Sequence, residues 1–269
     1  MVMSSTIIDF HVHCFKDELA ERAITSLSEA SSLPPHSDGT VAGIKASMKK
    51  AGIGRSVILN IATKPQQTRK ITQWALSVQD EKIIAFGSIH PECEEWKDEL
   101  CRLRDSGVKG IKFHPEYQSF YVDDPKMFPI YEKAAELGLI MVFHAGMDYG
   151  FKGPYHCTPD RMKIVSRAFP EAKIVAAHMG GFKYWEDVEN CLVGESLYLD
   201  TSFSLHELGR ERFLRIASKH GYDRLLFASD SPWGDQLEEV ERFRSMGLSD
   251  AESEAVLGGN AAKLLGLTC

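Results

Sequence analysis

Short apolar runs recur along the chain: TIIDFHVH from residue 6, RSVILNIA from 55, KIIAFGSIH from 82 and GVKGIKFHP from 107 in the first half. LIMVFHAG from 139, KIVAAHMGG from 173, LYLDTSF from 197 and RLLFASDSP from 224 follow in the second. These runs are nearly continuous in apolar residues rather than alternating, the pattern of parallel strands covered on both faces. Between them, segments such as KPQQTRKITQWALSVQDE (64–81) and DPKMFPIYEKAAELG (124–138) place apolar residues at i, i+3 and i+4, which predicts helices.

Strand–helix alternation with right-handed crossovers, sustained over eight runs, predicts an α/β fold closed into a (β/α)8 TIM barrel; open doubly wound sheets more often stop at about five to seven strands. Residues 15–40 interrupt the pattern and are expected to be an insertion after the first strand, at the active-site end. SDAESEAVLGGNAAKLLGL (249–267) reads as a terminal helix or helix pair closing the barrel. No linker, charge block or low-complexity tract divides the sequence, so residues 1–269 are expected to form a single domain.

At 43% hydrophobic and 26% charged, the composition is that of a globular protein with a large core. The formal charge of -7 offers no general attraction to phosphate backbones or anionic membranes, so neither nucleic acid nor membrane is expected as a partner. No apolar stretch approaches the ~20 residues of a membrane helix. The start, MVMSSTIIDFHVH, lacks a basic and then long apolar leader, which predicts a cytoplasmic location. Six cysteines are scattered without a CxxC pair and read as free thiols. Without a GxGxxG or P-loop, no nucleotide cofactor is indicated, and the expected partner is a small-molecule substrate.

The chemistry gathers where the apolar runs end. Run one finishes with His11 and His13, run four with Lys112 and His114, run five with His144, run six with His178 and run eight with Asp230. In a (β/α)8 barrel, catalytic groups sit at these strand ends. Residues two apart share a strand face, so His11 and His13 can present both imidazoles to one ion. Three nitrogens from His11, His13 and His144 with the Asp230 carboxylate leave room for water, as in a catalytic rather than a closed structural site. One divalent ion per chain is expected, Zn first and Mn or Fe next.

In that order, HVH, FHAG, AAHMGG and ASDSPWG resemble the metal-dependent amidohydrolase superfamily, specifically its amidohydrolase-2 branch, over essentially the whole chain. The resemblance implies that His11, His13, His144 and Asp230 are the ligands of a one-metal member and His178 its unligated catalytic histidine. Chemically, Asp230 can accept the proton of an ion-activated water while touching the metal, and His178 can polarise a carbonyl or relay a proton. The branch holds hydrolases, lactonases and nonoxidative decarboxylases. The leading expectation is a hydrolase of an amide, ester or lactone in a small, aromatic or carboxylate-bearing molecule. The second is a decarboxylase of a small unsaturated or aromatic acid, with His178 or Asp230 protonating the product. An inactive metal-binding barrel is a third reading, disfavoured because the ligand set is complete.

Two-metal members of the superfamily bridge their ions through a carboxylated lysine or a glutamate on strand four. Here Lys112 is expected to remain unmodified and to bind substrate beside His114, with an ion pair to Asp9 or Asp200 as the competing reading. Asp9 shares the parity of His11 and His13 and is expected to orient one of them, while Asp200 and Ser202 are candidates for the pocket wall. Tyr117, Phe120, Tyr121, Tyr149, Phe151, Tyr155, Phe182, Trp185 and Trp233 crowd the loops. They suggest a planar substrate, with Tyr117 and Trp233 assigned to bind it; loop packing or a homodimer contact is the competing reading.

Overall fold

In the computed structural model, residues 6–267 are described. The first half runs β1 (Ile7–Val12), α1 (Asp17–Ser31), α2 (Val41–Ala51), β2 (Ile53–Leu59), α3 (Thr68–Val78), β3 (Ile83–Phe86), α4 (Trp96–Asp105) and β4 (Gly110–Phe113). There follow α5 (Phe128–Glu136), β5 (Ile140–Phe143), α6 (Pro159–Ala168), β6 (Ile174–Ala176), α7 (Trp185–Asp187), β7 (Tyr198–Asp200) and α8 (Leu205–His220). The chain closes with β8 (Leu225–Leu226), α9 (Gln236–Arg244), α10 (Asp250–Glu254) and α11 (Asn260–Leu265).

Each apolar run of the sequence contains one strand, and neighbouring strands pair in parallel as β1–β2–β3 and β4–β5–β6–β7–β8. Bridges between Gly87 and Ile111 and between Val12 and Ser231 join the two arcs into a TIM barrel. At the seams, Lys112 N donates to Gly87 O at 2.9 Å and Asp230 N donates to His11 O at 2.9 Å. Ile8, Phe10, Val57, Leu59, Phe86, Ile140 and Val142 pack together inside, and Ala261, Leu264 and Leu265 of α11 join that cluster. A second apolar layer lies between strands and helices. Helices begin and end on local signals: Thr40 Oγ1 accepts from Gly43 N at 2.9 Å at the start of α2, and Gly52, at φ +70°, ends it.

The ladders stop earlier than the apolar runs. His13, His114, His144, His178 and Asp230 lie one to four residues beyond their strands, where the backbone is free to turn side chains into the mouth. The expected terminal helix pair is α10 and α11, joined by a wide turn at Ala255–Gly259. The segment 15–40 between β1 and α2 contains α1. Among the described residues no helix is long and apolar enough to cross a membrane. Cys14, Cys93, Cys101, Cys157 and Cys191 are free thiols, and Cys269 lies outside the described residues.

Gly258 shows how tightly the closing segment meets β1: a Cβ built there would stand 2.1 Å from the backbone oxygen of Thr6. Backbone cannot yield as a side-chain tip can, so Gly258→Ala is expected to destabilise the fold by about 2–3 kcal/mol. A lowered urea midpoint with unchanged slope is the expected readout, and a wild-type midpoint would show that this contact does not constrain the fold.

Candidate metal centre

One cavity of about 240 Å³ at the barrel mouth is lined by His11, His13, Lys112, His114, Tyr117, His144, His178, Asp230 and Trp233. Every residue assigned to the site from the sequence therefore borders the same space. How each ring is held decides what it can do there.

His11 directs Nδ1 to Asp200 Oδ2 at 2.9 Å, and His13 directs Nδ1 to the backbone oxygen of Leu59 at 2.9 Å. Both partners only accept, so each Nδ1 carries the hydrogen and each Nε2 presents a lone pair. Those lone pairs face one carboxylate oxygen, Asp230 Oδ1, at 3.4 Å from His11 and 3.1 Å from His13. Burial alone would raise the Asp230 carboxyl, but His13 and the neighbouring imidazoles, when they carry a second proton that Asp230 can accept a hydrogen bond from, outweigh it and lower the pKa to about 2. Burial, reinforced by the Lys112 charge, pushes the His11 pKa well below the usual imidazole value. Lys112 Nζ meets the His11 lone pair at 3.1 Å, whereas the His13 lone pair and the anionic Asp230 oxygen, in a trio converging within 4.8 Å, repel one another unless a cation lies between them. The donor set, with its outer nitrogens anchored, fits a divalent metal.

His144 stands apart from this group. Its Nδ1 meets His178 Nε2 at 3.0 Å, and its ring stacks on His114 at a centroid distance of 4.1 Å. Its Nε2 lies with His114 and Asp148 in a separate cluster, so the structure joins three of the four expected ligands and seats the fourth beside them. His178 is engaged at both nitrogens, with Nδ1 3.0 Å from the Ser202 carbonyl oxygen. Lys112 also departs from expectation: its Nζ reaches His11 Nε2 at 3.1 Å instead of pairing with His114. Among the described residues it has no carboxylate partner within 4.0 Å, so the alternative ion pair with Asp9 or Asp200 is absent too. Burial lowers its pKa to about 8.

Asp9 was expected beside the imidazoles. The register of β1 against β2 shifts between Asp9 and Val12, and Asp9 instead accepts from Gln236 Nε2 at 2.8 Å and Ser229 N at 3.0 Å. It acts on the site through backbone, accepting from His11 N at 3.2 Å. Its burial raises the carboxyl pKa to about 6. Asp200 and Ser202 lie behind the cavity as anchors of His11 and His178. His178 and Asp230 adopt φ of +58° and +65°, a left-handed region that costs a non-glycine residue roughly 1 kcal/mol or more. Hydrogen bonds from His178 N to Asp200 Oδ1 at 3.0 Å and from Asp230 N to His11 O hold these turns in place.

Of the loop aromatics, Tyr117, Tyr149, Phe182 and Trp233 line the cavity. Trp185 donates from Nε1 to the backbone oxygen of His178 at 3.3 Å, and Phe120 is core. The sequence reading missed Asp148, four residues after His144, and Leu27 and Leu33 from the segment between β1 and α2, which add apolar lining.

A closed parallel barrel with histidines and an aspartate at its strand ends defines the class of the amidohydrolase-type enzymes. The chain belongs to the amidohydrolase family, whose Amidohydro_2 model matches residues 8–267. It is 24% identical to 2-amino-3-carboxymuconate-6-semialdehyde decarboxylase of Dictyostelium discoideum, over 78% of this chain and 70% of that one. A dihydroxybenzoic acid decarboxylase from Polaromonas sp. JS666, solved with bound manganese, superposes with a TM-score of 0.70 at 16% identity, covering 98% of this chain and 97% of that one. A Pseudomonas putida protein provisionally assigned as a 2-pyrone-4,6-dicarboxylic acid hydrolase gives 0.69 at 18% identity, covering 98% of both chains.

Asp200→Asn tests the anchoring of the centre. The amide keeps an acceptor for the His178 and Ser202 backbone donors but turns an NH2 toward His11 Nδ1–H. Affinity for Zn²⁺ is expected to fall about 10- to 100-fold with the fold retained. Unchanged affinity in a chelator-competition titration would show that His11 needs no such partner.

Proposed function

We propose that the protein is a divalent-metal-dependent, nonoxidative carboxy-lyase acting on a small planar aromatic or unsaturated acid. The observation that carries this reading is Lys112, a fully buried amine that has no carboxylate partner among the described residues and borders one cavity with Tyr117, Phe182 and Trp233. Such a group calls for an anion from outside, and the rings offer flat faces to a planar body. The decarboxylases among the similar proteins support the same reading.

In this reading His11, His13 and Asp230 hold the ion, with Zn, Mn or Fe suited to the donors, and manganese in the Polaromonas relative lends support to that range. When bound, the ion supplies Lewis-acid stabilisation of the negative charge that builds on the substrate. Lys112 holds the substrate anion, and Tyr117 and Trp233 orient the ring. The bond from ring carbon to carboxyl carbon breaks, its electron pair stays on the ring carbon, and CO2 leaves. A proton must then reach that carbon. Asp230 is held as a carboxylate and is poorly suited to give it, and the hydrogens of the His178–His144 pair are engaged with Ser202 O and with each other, which leaves the Lys112 ammonium as the donor.

Hydrolysis, the first expectation from the sequence, stands as the second reading and is favoured by the pyrone hydrolase neighbour. Turnover of a panel of aromatic and unsaturated acids in D2O separates the two. The expected outcome is stoichiometric CO2 with one deuteron at the vacated carbon. Oxygen from labelled water entering an opened lactone, without CO2, would reverse the order. Lys112→Ala is expected to raise KM for the acid about 10- to 100-fold with metal content unchanged. Loss of metal in that variant would make Lys112 part of the ion's own ligand set.

A further inference from the structure

Charge is scarce around the cavity, and what there is gathers at the strand ends. Among the described residues Lys112 is the one lysine that lines the cavity, and no arginine does. Two acids line it as well. Asp230 follows β8 and faces His11 and His13, and Asp148 follows β5, with Oδ2 3.1 Å from His114 Nε2. Apart from a bound metal ion, a single fixed cation therefore awaits an anionic substrate.

A different set of side chains comes from the first two connections of the barrel. Leu27 lies on α1 and Leu33 just beyond it, Ile61 follows β2 and Ile71 lies on α3. All four line the cavity and all four stay partly exposed, unlike the sealed aliphatic side chains of the core. The polar neighbours that share this lining are uncharged: Asn60, and Ser31 and Thr63, whose hydroxyls donate to Leu27 O at 2.8 Å and Gln67 Oε1 at 3.0 Å. With the strands closed in the order β1 to β8, the connections after β1 and β2 stand across the mouth from those after β5 and β6, which carry Asp148 and His178. Partly exposed aliphatic surface gathered along one stretch of a ligand cavity calls for an apolar group to cover it.

We infer that the substrate is a monocarboxylic acid bearing an apolar substituent, with its one carboxylate toward Lys112 and its substituent against Leu27, Leu33, Ile61 and Ile71. This rests on the reading of Lys112 as the group that meets the substrate anion. Dicarboxylic acids are disfavoured by charge. A second carboxylate set against the aliphatic side chains loses water and gains no cation, and one turned across the mouth meets Asp148. An alkyl or alkenyl group in the same place gains with every methylene withdrawn from water.

Calorimetric titration of the Zn²⁺-loaded protein with benzoate, 3- and 4-propylbenzoate, isophthalate and terephthalate tests this at equilibrium, whichever reaction the enzyme performs. At least one propylbenzoate is expected to bind about 10-fold or more tighter than benzoate, and both dicarboxylates about 10-fold or more weaker. The double substitution Leu27→Ala, Leu33→Ala is expected to bring the propylbenzoate-to-benzoate affinity ratio close to unity, and Leu33→Arg to raise the affinity of a dicarboxylate to that of benzoate or above it. Benzoate binding that Lys112→Ala weakens, but with no propyl advantage or with a dicarboxylate preferred by the wild type, would overturn this inference and leave the reading of Lys112 intact. Failure of every acid to bind would remove that reading, and this inference with it.

Discussion

Asp200, at the end of β7, is the group on which the barrel mouth turns. One of its oxygens accepts from the backbone of His178 and Ser202, and also from the Ser202 hydroxyl; the other receives His11 Nδ1–H. Its burial is complete, and a carboxylate withdrawn from water is tolerable only when its lone pairs are met by donors. These donors come from β1 and from the turn after β6, which lie in different arcs of the barrel. The same charge thus ties the two arcs together, fixes the tautomer of one metal-facing ring and stabilises the left-handed backbone of another.

Hydrogen-bond direction then propagates outward from atoms that can only accept. Leu59 O, Asp200 and Ser202 O force the hydrogens onto the Nδ1 atoms of His13, His11 and His178, and His178 passes the constraint on to His144. Backbone carbonyls at the ends of β2 and beyond β7 therefore decide which nitrogens face the cavity bare. Which lone pairs would receive a cation thus follows from strand geometry. It also explains why the residues cannot rearrange one at a time: reversing one tautomer would set a lone pair against a carbonyl oxygen elsewhere.

The barrel was legible because continuous apolar runs of strand length leave few other solutions, and because polar residues that end such runs must go to the mouth. Position along a strand, however, says nothing of ring rotation or of local register. Asp9 faces the helical layer because β1 slips against β2 between Asp9 and Val12, a shift with no signature in the residues themselves. His144 meets His178 and His114 because the chain turns just beyond β5, where period-two reasoning ends. Asp148 lies on that turn, and only its spacing of four from His144 hinted at a role. Lys112 was correctly placed in the mouth, but its partner across the barrel depended on closure of β4 against β3 and of β8 against β1, which no local pattern encodes.

The segment between β1 and α2 gives the cavity a character that bears on the proposed reaction. Leu27 and Leu33, with Ile61 and Ile71, line the same cavity as Lys112 and the imidazoles, so apolar and strongly polar groups border one space. A carboxylate entering such a space loses water on its apolar side and keeps only the contacts that the floor provides. Loss of CO2 turns that localised charge into a neutral gas and a charge spread over a planar framework, which an apolar wall with aromatic faces accommodates better than the starting anion. Hydrolysis makes the opposite demand, since a water must be admitted and a charged product formed. In the proposed reading, the pairing of a buried amine with apolar lining would lower the barrier to loss of CO2 through the cost of desolvating the ground state.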